Sequence, residues 1–277
     1  MSAVGRTGKA LLSSYFVLLV IFLYAPLVVL VIFAFNNGNI PSLPITSFST
    51  KWFSAAFADT TLTSALKRSV LIALLNGVGA TLLGVMAAVS LARRHLALRR
   101  VVVTLMLIPL VVPYIVLAVG IVVLLHEFGV ATSLLAVLAG HVVISLPYSV
   151  LVILPRLRTL DESIVEAACD LGASELKAFL FVTLPLLAPA LVSSFLIAFT
   201  ISFDEFAIAS FLAPPGSPTY PVVLYSSSRT PALLPEVIAI GSIVIAVSLA
   251  LVALAEIGRR WAERRIEALS EAPPLTG

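Results

Sequence analysis

Six predominantly apolar stretches punctuate this chain, at approximately 13–35, 69–92, 101–125, 131–154, 186–212 and 235–258. A bilayer core needs roughly 20 apolar residues per spanning helix, and each stretch is long enough. In lipid every backbone polar group must find its partner within protein, which leaves the helix as the form open to a single stretch of this length. The expected fold class is therefore an all-α membrane protein with about six transmembrane helices, forming one transmembrane domain over 1–277. Composition agrees: 60% of the 277 residues are apolar and only 11% charged, against roughly 25% charged in a soluble domain. The first stretch has Arg6 and Lys9 ahead of it, as a signal peptide would. It is too long for an h-region of about 7–15 residues and no small-residue cleavage site follows, so a retained helix with a kink at Pro26 is expected.

Basic residues set the orientation. With the N-terminus inside, the inner segments carry Arg6, Lys9, Arg93, Arg94, Arg99, Arg100, Arg156, Arg158, Lys177, Arg259, Arg260, Arg264 and Arg265, and the outer ones Lys51, Lys67, Arg68 and Arg229. Thirteen against four of the 17 basic residues places both termini in the cytoplasm by the positive-inside rule. Two outer segments exceed simple turns. Asn36–Arg68 contains Pro41, Pro44, Trp52 and Phe53, and Ala213–Leu234 is rich in proline. Either they are stiff connectors or they form a surface for an external partner. The tail Arg259–Gly277 continues the last helix with mixed charge, as a solvated, headgroup-anchored face.

One inner segment differs in kind. Arg156–Pro185 is too polar to span a membrane and too well patterned to be disordered. Asp161, Glu162 and Ser163 are helix-start signals. Ile164, Val165, Ala168 and Leu171 then fall on one apolar stripe, and Gly172 is a plausible stop. A second helix, Ser174 to Val182, is expected before Pro185. A helix of two to three turns is unstable alone. Its apolar stripe must meet the membrane bundle, the lipid interface or a groove in a separate protein.

Within that segment, Glu166-Ala167-Ala168, then Gly172, then Val182-Thr183-Leu184-Pro185 resembles the EAA signature of ABC importer permeases at every fixed position over 20 residues. The resemblance implies the type I importer permease fold, with the first loop helix as a coupling helix seated in a cleft of an ATP-binding subunit. By position, Glu166 and Ala167 would face that cleft or cap the helix, Ala168 would stand beside them and Gly172 would make the bend. Asp170 and Glu175 lie outside the fixed positions and are contacts or merely solvated. The implied partners are two ATP-binding subunits, a second permease subunit of a different chain, an external solute-binding protein and the bilayer, with no nucleic acid. ATP and Mg would be bound by the partner subunits, with no cofactor in this chain. The segment Gly5-Arg6-Thr7-Gly8-Lys9-Ala10 has the wrong spacing for a P-loop and lacks its hydroxyl.

A looser resemblance covers most of the chain. Tyr24-Ala25-Pro26-Leu27 with Phe35-Asn36, Phe48-Ser49 with Trp52, and Ser202-Phe203-Asp204-Glu205-Phe206 are similar to spermidine/putrescine permease subunits. Permeases for ferric iron, thiamine or aminophosphonates share parts of it. Asp204 and Glu205 are the physical oddity, since charge inside an apolar stretch is costly and usually faces a cavity or a partner. Either they line a path for a cation, with Phe203 and Phe206 adding cation–π contacts, or they bond between helices, or the span ends early. Tyr148, beside Pro147, is a further candidate for the path, or an interfacial aromatic.

Other chemistries find little support. His95, His126 and His141 are scattered without metal-ligand spacing, and the single cysteine, Cys169, permits no internal disulfide. An intramembrane enzyme would need a buried nucleophile, base or metal cluster. A membrane scaffold without transport would have no use for the loop signature.

Overall fold

The computed structural model describes residues 6–45, 47–92, 99–230 and 233–250. The described elements are helices, with one isolated antiparallel bridge between Asn36 and Phe48. They fall into two compact units, Met1–Thr60 with Ser227–Gly277, and Thr61–Ser226.

In the first unit, α1 (Arg6–Ala34) carries the apolar span Leu11–Ala34. Pro26 lies within it without ending it. After α1 the chain folds back on itself. Asn37 donates to Ser47, Ser49 donates to Phe35, and the Trp52 indole donates to the Asn36 carbonyl at 2.9 Å. The Phe35 and Phe53 rings meet at 5.0 Å. Thus Phe35, Asn36, Phe48, Ser49 and Trp52, separate in sequence, form one structural knot at the start of α2 (Lys51–Ala58). The sixth expected span is described as α12 (Leu234–Ala250). Its expected end at residue 258, the tail Arg259–Gly277 and the arginines at 93 and 94 lie outside the described residues.

The second unit runs α3 (Thr60–Ala92), α4 (Arg99–Val111), α5 (Tyr114–Glu127), α6 (Leu134–Arg158), α7 (Glu162–Asp170), α8 (Glu175–Ala178), α9 (Leu184–Phe203), α10 (Ala207–Leu212) and α11 (Tyr220–Ser227). Helices in lipid gain no hydrophobic drive from packing on one another, so close backbone approach and interhelical hydrogen bonds decide the arrangement. On α3 the buried face is a helical stripe of small residues, including Ala65, Ser69, Ala73, Gly77, Ala80, Gly84 and Ala88. A Cβ at Gly77 would lie 2.7 Å from the Phe195 ring of α9, and one at Gly84 would lie 2.6 Å from Ser149 Cβ of α6. Between these contacts the buried Asn76 amide donates to Ser145 Oγ at 2.9 Å and to the Ala198 carbonyl at 2.8 Å, tying α3 to both neighbours.

Three expectations about the elements need correction. The stretch 101–125 is not one straight helix: it bends by 109° between α4 and α5. Pro113 precedes α5 with extended backbone; it disfavours helical conformation at Val112, just past the end of α4, and donates no amide. The second loop helix does not stop before Pro185. From α8 the chain passes through a π-helical turn, Phe179–Thr183, directly into α9, giving one apolar rod, Glu175–Phe203. The wider turn absorbs the clash and missing donor that Pro185 brings to a regular helix. Lastly, 186–212 is broken: α9 ends at Phe203 and a separate α10 begins at Ala207. Among the described residues four helices are individually long and apolar enough to cross a membrane, five with the bent pair counted as one span.

The close approach at Gly84 yields a prediction. Gly84→Ala forces α3 and α6 apart, an overpacking of about 1–3 kcal/mol, and should lower the melting temperature of the detergent-solubilised protein by several degrees. Gly120→Ala, where a Cβ meets nothing within 4 Å, should leave it unchanged.

Candidate functional sites

The first site is α7. Asp161 caps its N-terminus, Oδ1 accepting from the Ser163 amide at 2.9 Å. That amide and the Ser163 hydroxyl hold the Asp161 carboxyl below the usual carboxylate range. The cap is thus Asp161 and not Glu166. At the other end Gly172 adopts φ +90°. Its amide donates to the Cys169 carbonyl and that of Ala173 to the Ala168 carbonyl, the paired bonds of a Schellman C-cap. A short segment therefore holds helical form by closing both ends.

Nothing in α7 is buried. Val165, Ala168 and Cys169 are half-buried, while Ile164 is 46% exposed and Leu171 90% exposed. The apolar stripe is therefore split. One edge faces an open cleft of about 1230 Å³, shared with Val89, Leu157, Arg158, Phe179 and Thr183, and the other edge points away. Glu162, Glu166, Asp170 and Glu175 stand around the same cleft, and Ala167 is exposed. Pro185 does not join this group: it is exposed, two residues beyond Thr183 on the same rod.

The second site is the break between α9 and α10. Asp204 ends α9 and is exposed. Glu205 turns inward, with its side chain 2% exposed. Its Oε1 accepts from the Ile208 amide at 2.9 Å and its Oε2 from the Ala209 amide at 3.0 Å. Oε2 also lies 3.3 Å from His141 Nε2. That contact is off the N–H direction, so it is a close polar contact and not a well-directed hydrogen bond. The other ring nitrogen of His141, Nδ1, is 2.7 Å from Ser202 Oγ. On α6, Tyr148 follows His141 by two turns. It is half-buried and neighbours Tyr114, which lies in the field of Glu205. Tyr114 opens α5 just after the 109° bend. The two helix breaks of this unit thus meet at one polar cluster. Phe203 stacks between Phe199 at 5.9 Å and Tyr220 at 6.5 Å, and Phe206 packs on Tyr225 at 4.7 Å. Along α6, His141 is roughly 25 Å from the end that carries α7, at 1.5 Å per residue.

The comparisons with known proteins concern the chain that carries these two sites. The family model described as "Binding-protein-dependent transport system inner membrane component" matches residues 80–268. The chain belongs to this family. It is therefore a multi-pass inner-membrane component of a binding-protein-dependent transport system, and both sites lie within the matched residues. It is similar to the putrescine transport system permease protein PotI of Escherichia coli K12, with 36% identity over 231 residues, 81% of this chain and 82% of that one. It is also similar to the spermidine/putrescine transport system permease protein PotC of Haemophilus influenzae, with 35% identity over 236 residues, 85% and 91% of the two chains. The fold matches a chain of a bacterial ABC transporter that imports alginate, with TM-score 0.67 at 15% identity over 94% of this chain and 99% of that one.

Reading the sequence of this permease brought out Asp204, Glu205, Phe203, Phe206 and Tyr148 but missed His141, Ser202 and Tyr114. For His141 a signal existed. An ionisable residue inside the apolar stretch 131–154 meets the same criterion that singled out the two acids; only its partner was invisible.

The capping of α7 makes a testable statement. Asp161→Ala should speed amide hydrogen exchange across 162–170 in the purified protein. In the unaltered protein the carboxyl is depressed on folding, so its cap is present above the ordinary carboxylate value, about pH 4. It should be lost as pH falls through the lower folded value.

Proposed function

We propose that this chain is one permease half of an ATP-driven importer of a polyamine or similar cationic solute. Its partners in that reading are two ATP-binding subunits, which hold the ATP and Mg, a second permease chain and a solute-binding protein. The distribution of basic residues supports α7 and both termini on the cytoplasmic side. The observation that carries the energy-coupling half is α7 itself: a helix capped at both ends, without a buried residue, presenting Ile164 and Leu171 outward. A lone apolar edge of this kind is completed by a groove in another protein. Glu166, Ala167, Ala168 and Asp170 ride on that helix, Gly172 sets its exit, and the cap leads into the rod that contains Pro185. Motion imposed on α7 by the ATPase pair then reaches α9 through a single stiff element.

The solute class rests on the named relatives, which are putrescine and spermidine/putrescine permeases, and on the exposed Asp204 at a break in an apolar bundle. A carboxylate there attracts an ammonium group, with Phe203 and Phe206 beside it. Glu205 and Tyr148 belong to the same path as its inner wall.

Two measurements test the halves separately. At Gly172 a Cβ meets no neighbour within 4 Å, so Gly172→Val acts through backbone conformation alone, at about 1–2 kcal/mol for an L residue at positive φ. The variant should insert normally, yet its ATP hydrolysis in the assembled transporter should respond at least several-fold less to the loaded binding protein. Normal uptake by it would refute the coupling role. Asp204→Asn should lower uptake of radiolabelled putrescine and spermidine about tenfold or more at equal membrane abundance. Unchanged uptake of both would refute the cationic path.

A further inference from the structure

Two adjacent acids in an apolar stretch invite one role for both, yet the structure gives them different surroundings. Asp204 is exposed, whereas Glu205 is buried with each carboxylate oxygen accepting from a backbone amide of α10. A buried carboxylate is costly unless hydrogen bonds and an opposite charge or donor surround it. Here the amides of Ile208 and Ala209 supply the hydrogen bonds, and the imidazole of His141 stands 3.3 Å from Oε2. His141 in turn reaches Ser202 in the last turn of α9, so one ring touches both sides of the break. It is fixed in place from behind: at the preceding residue, Gly140, a Cβ would come within 2.7 Å of Ile208 in α10. No bulkier residue fits there without pushing α6 off the helix that Glu205 caps.

We propose that His141 is a positioning residue. It holds Glu205 in its capping pose across the α9–α10 break, so that Asp204 alone of the two acids is presented to the solute. The inference deepens the cationic-path reading above and rests on it for the role of Asp204. The geometry explains why two ionisable groups, both buried in the wall of the path, persist in an apolar bundle without either being presented to the solute. The imidazole links Ser202 to Glu205, Glu205 links the ring to the amides of α10, and the break keeps one shape.

The test is a double-mutant cycle in the complete transporter, each variant normalised to its abundance in the membrane. The readouts are ATP hydrolysis stimulated by loaded binding protein and the uptake ratio of spermidine to putrescine. His141→Leu and Glu205→Gln should each lower stimulated hydrolysis about tenfold. The double variant should be no slower than the slower single one, because both remove the same link. His141→Gln, which can donate to Glu205 and accept from Ser202, should recover to within about threefold of the unaltered protein; a role in packing alone would favour Leu over Gln. If His141→Leu fails to accumulate, Ser202→Ala with Glu205→Gln completes the cycle from the other side of the ring. The spermidine-to-putrescine ratio should shift with Asp204→Asn and stay constant with Glu205→Gln. Multiplicative losses in the cycle, or a ratio that shifts with Glu205→Gln, would overturn the proposal. Failure of the cationic path itself is read from Asp204→Asn, whose unchanged uptake leaves the hydrolysis cycle free to decide the role of His141.

Discussion

A bilayer offers no water to a backbone group that lacks a partner, and this requirement governs each irregular feature of the second unit. An uninterrupted helix satisfies it without help. An interrupted one exposes the amides and carbonyls of two new ends, at a cost of about 1–3 kcal/mol for each group left unsatisfied. At the α9–α10 break the Glu205 carboxylate supplies acceptors for two such amides. The carboxylate in turn needs polar surroundings, and the His141 imidazole stands beside it. The polar cluster therefore follows from the break as its chemical consequence.

The same requirement explains how proline is placed. Pro185 falls where a π-helical turn widens the rod, and Pro113 falls at the bend between α4 and α5. Each removes a donor, and each sits where the backbone has already departed from regular helix. The small residues of α3 serve the complementary purpose. By letting backbones approach to the contact seen at Gly84, they gain dispersion contacts that no apolar side chain could gain against lipid of equal polarity.

α7 obeys a different solvent. It lies at the polar end of the bundle, where water satisfies its outer groups, so a nine-residue helix stands with both termini capped and no core beneath it. Its Ile164 and Leu171 are exposed, and the carboxylates of Glu162, Glu166 and Asp170 share the same helix. Its apolar stripe is divided between the bundle and the exterior.

Much of this was legible in the sequence, and the boundary is physical. Span length, the polar segment at 156–185, the Asp161 start and the Gly172 stop depend on neighbours within a turn or two, and local composition determined them. The oddity of Asp204 and Glu205 was visible for the same reason, since an acid among apolar residues is a local anomaly. Their separation into an exposed and a buried carboxylate was not visible. It depends on His141 lying 64 positions earlier on a different helix, and on Gly140 letting that helix come close. The sequence by itself determined that this chain is a helical membrane bundle with a capped helix at one end. Tertiary structure alone decided which acid is shielded, because that outcome follows from groups brought together across helices.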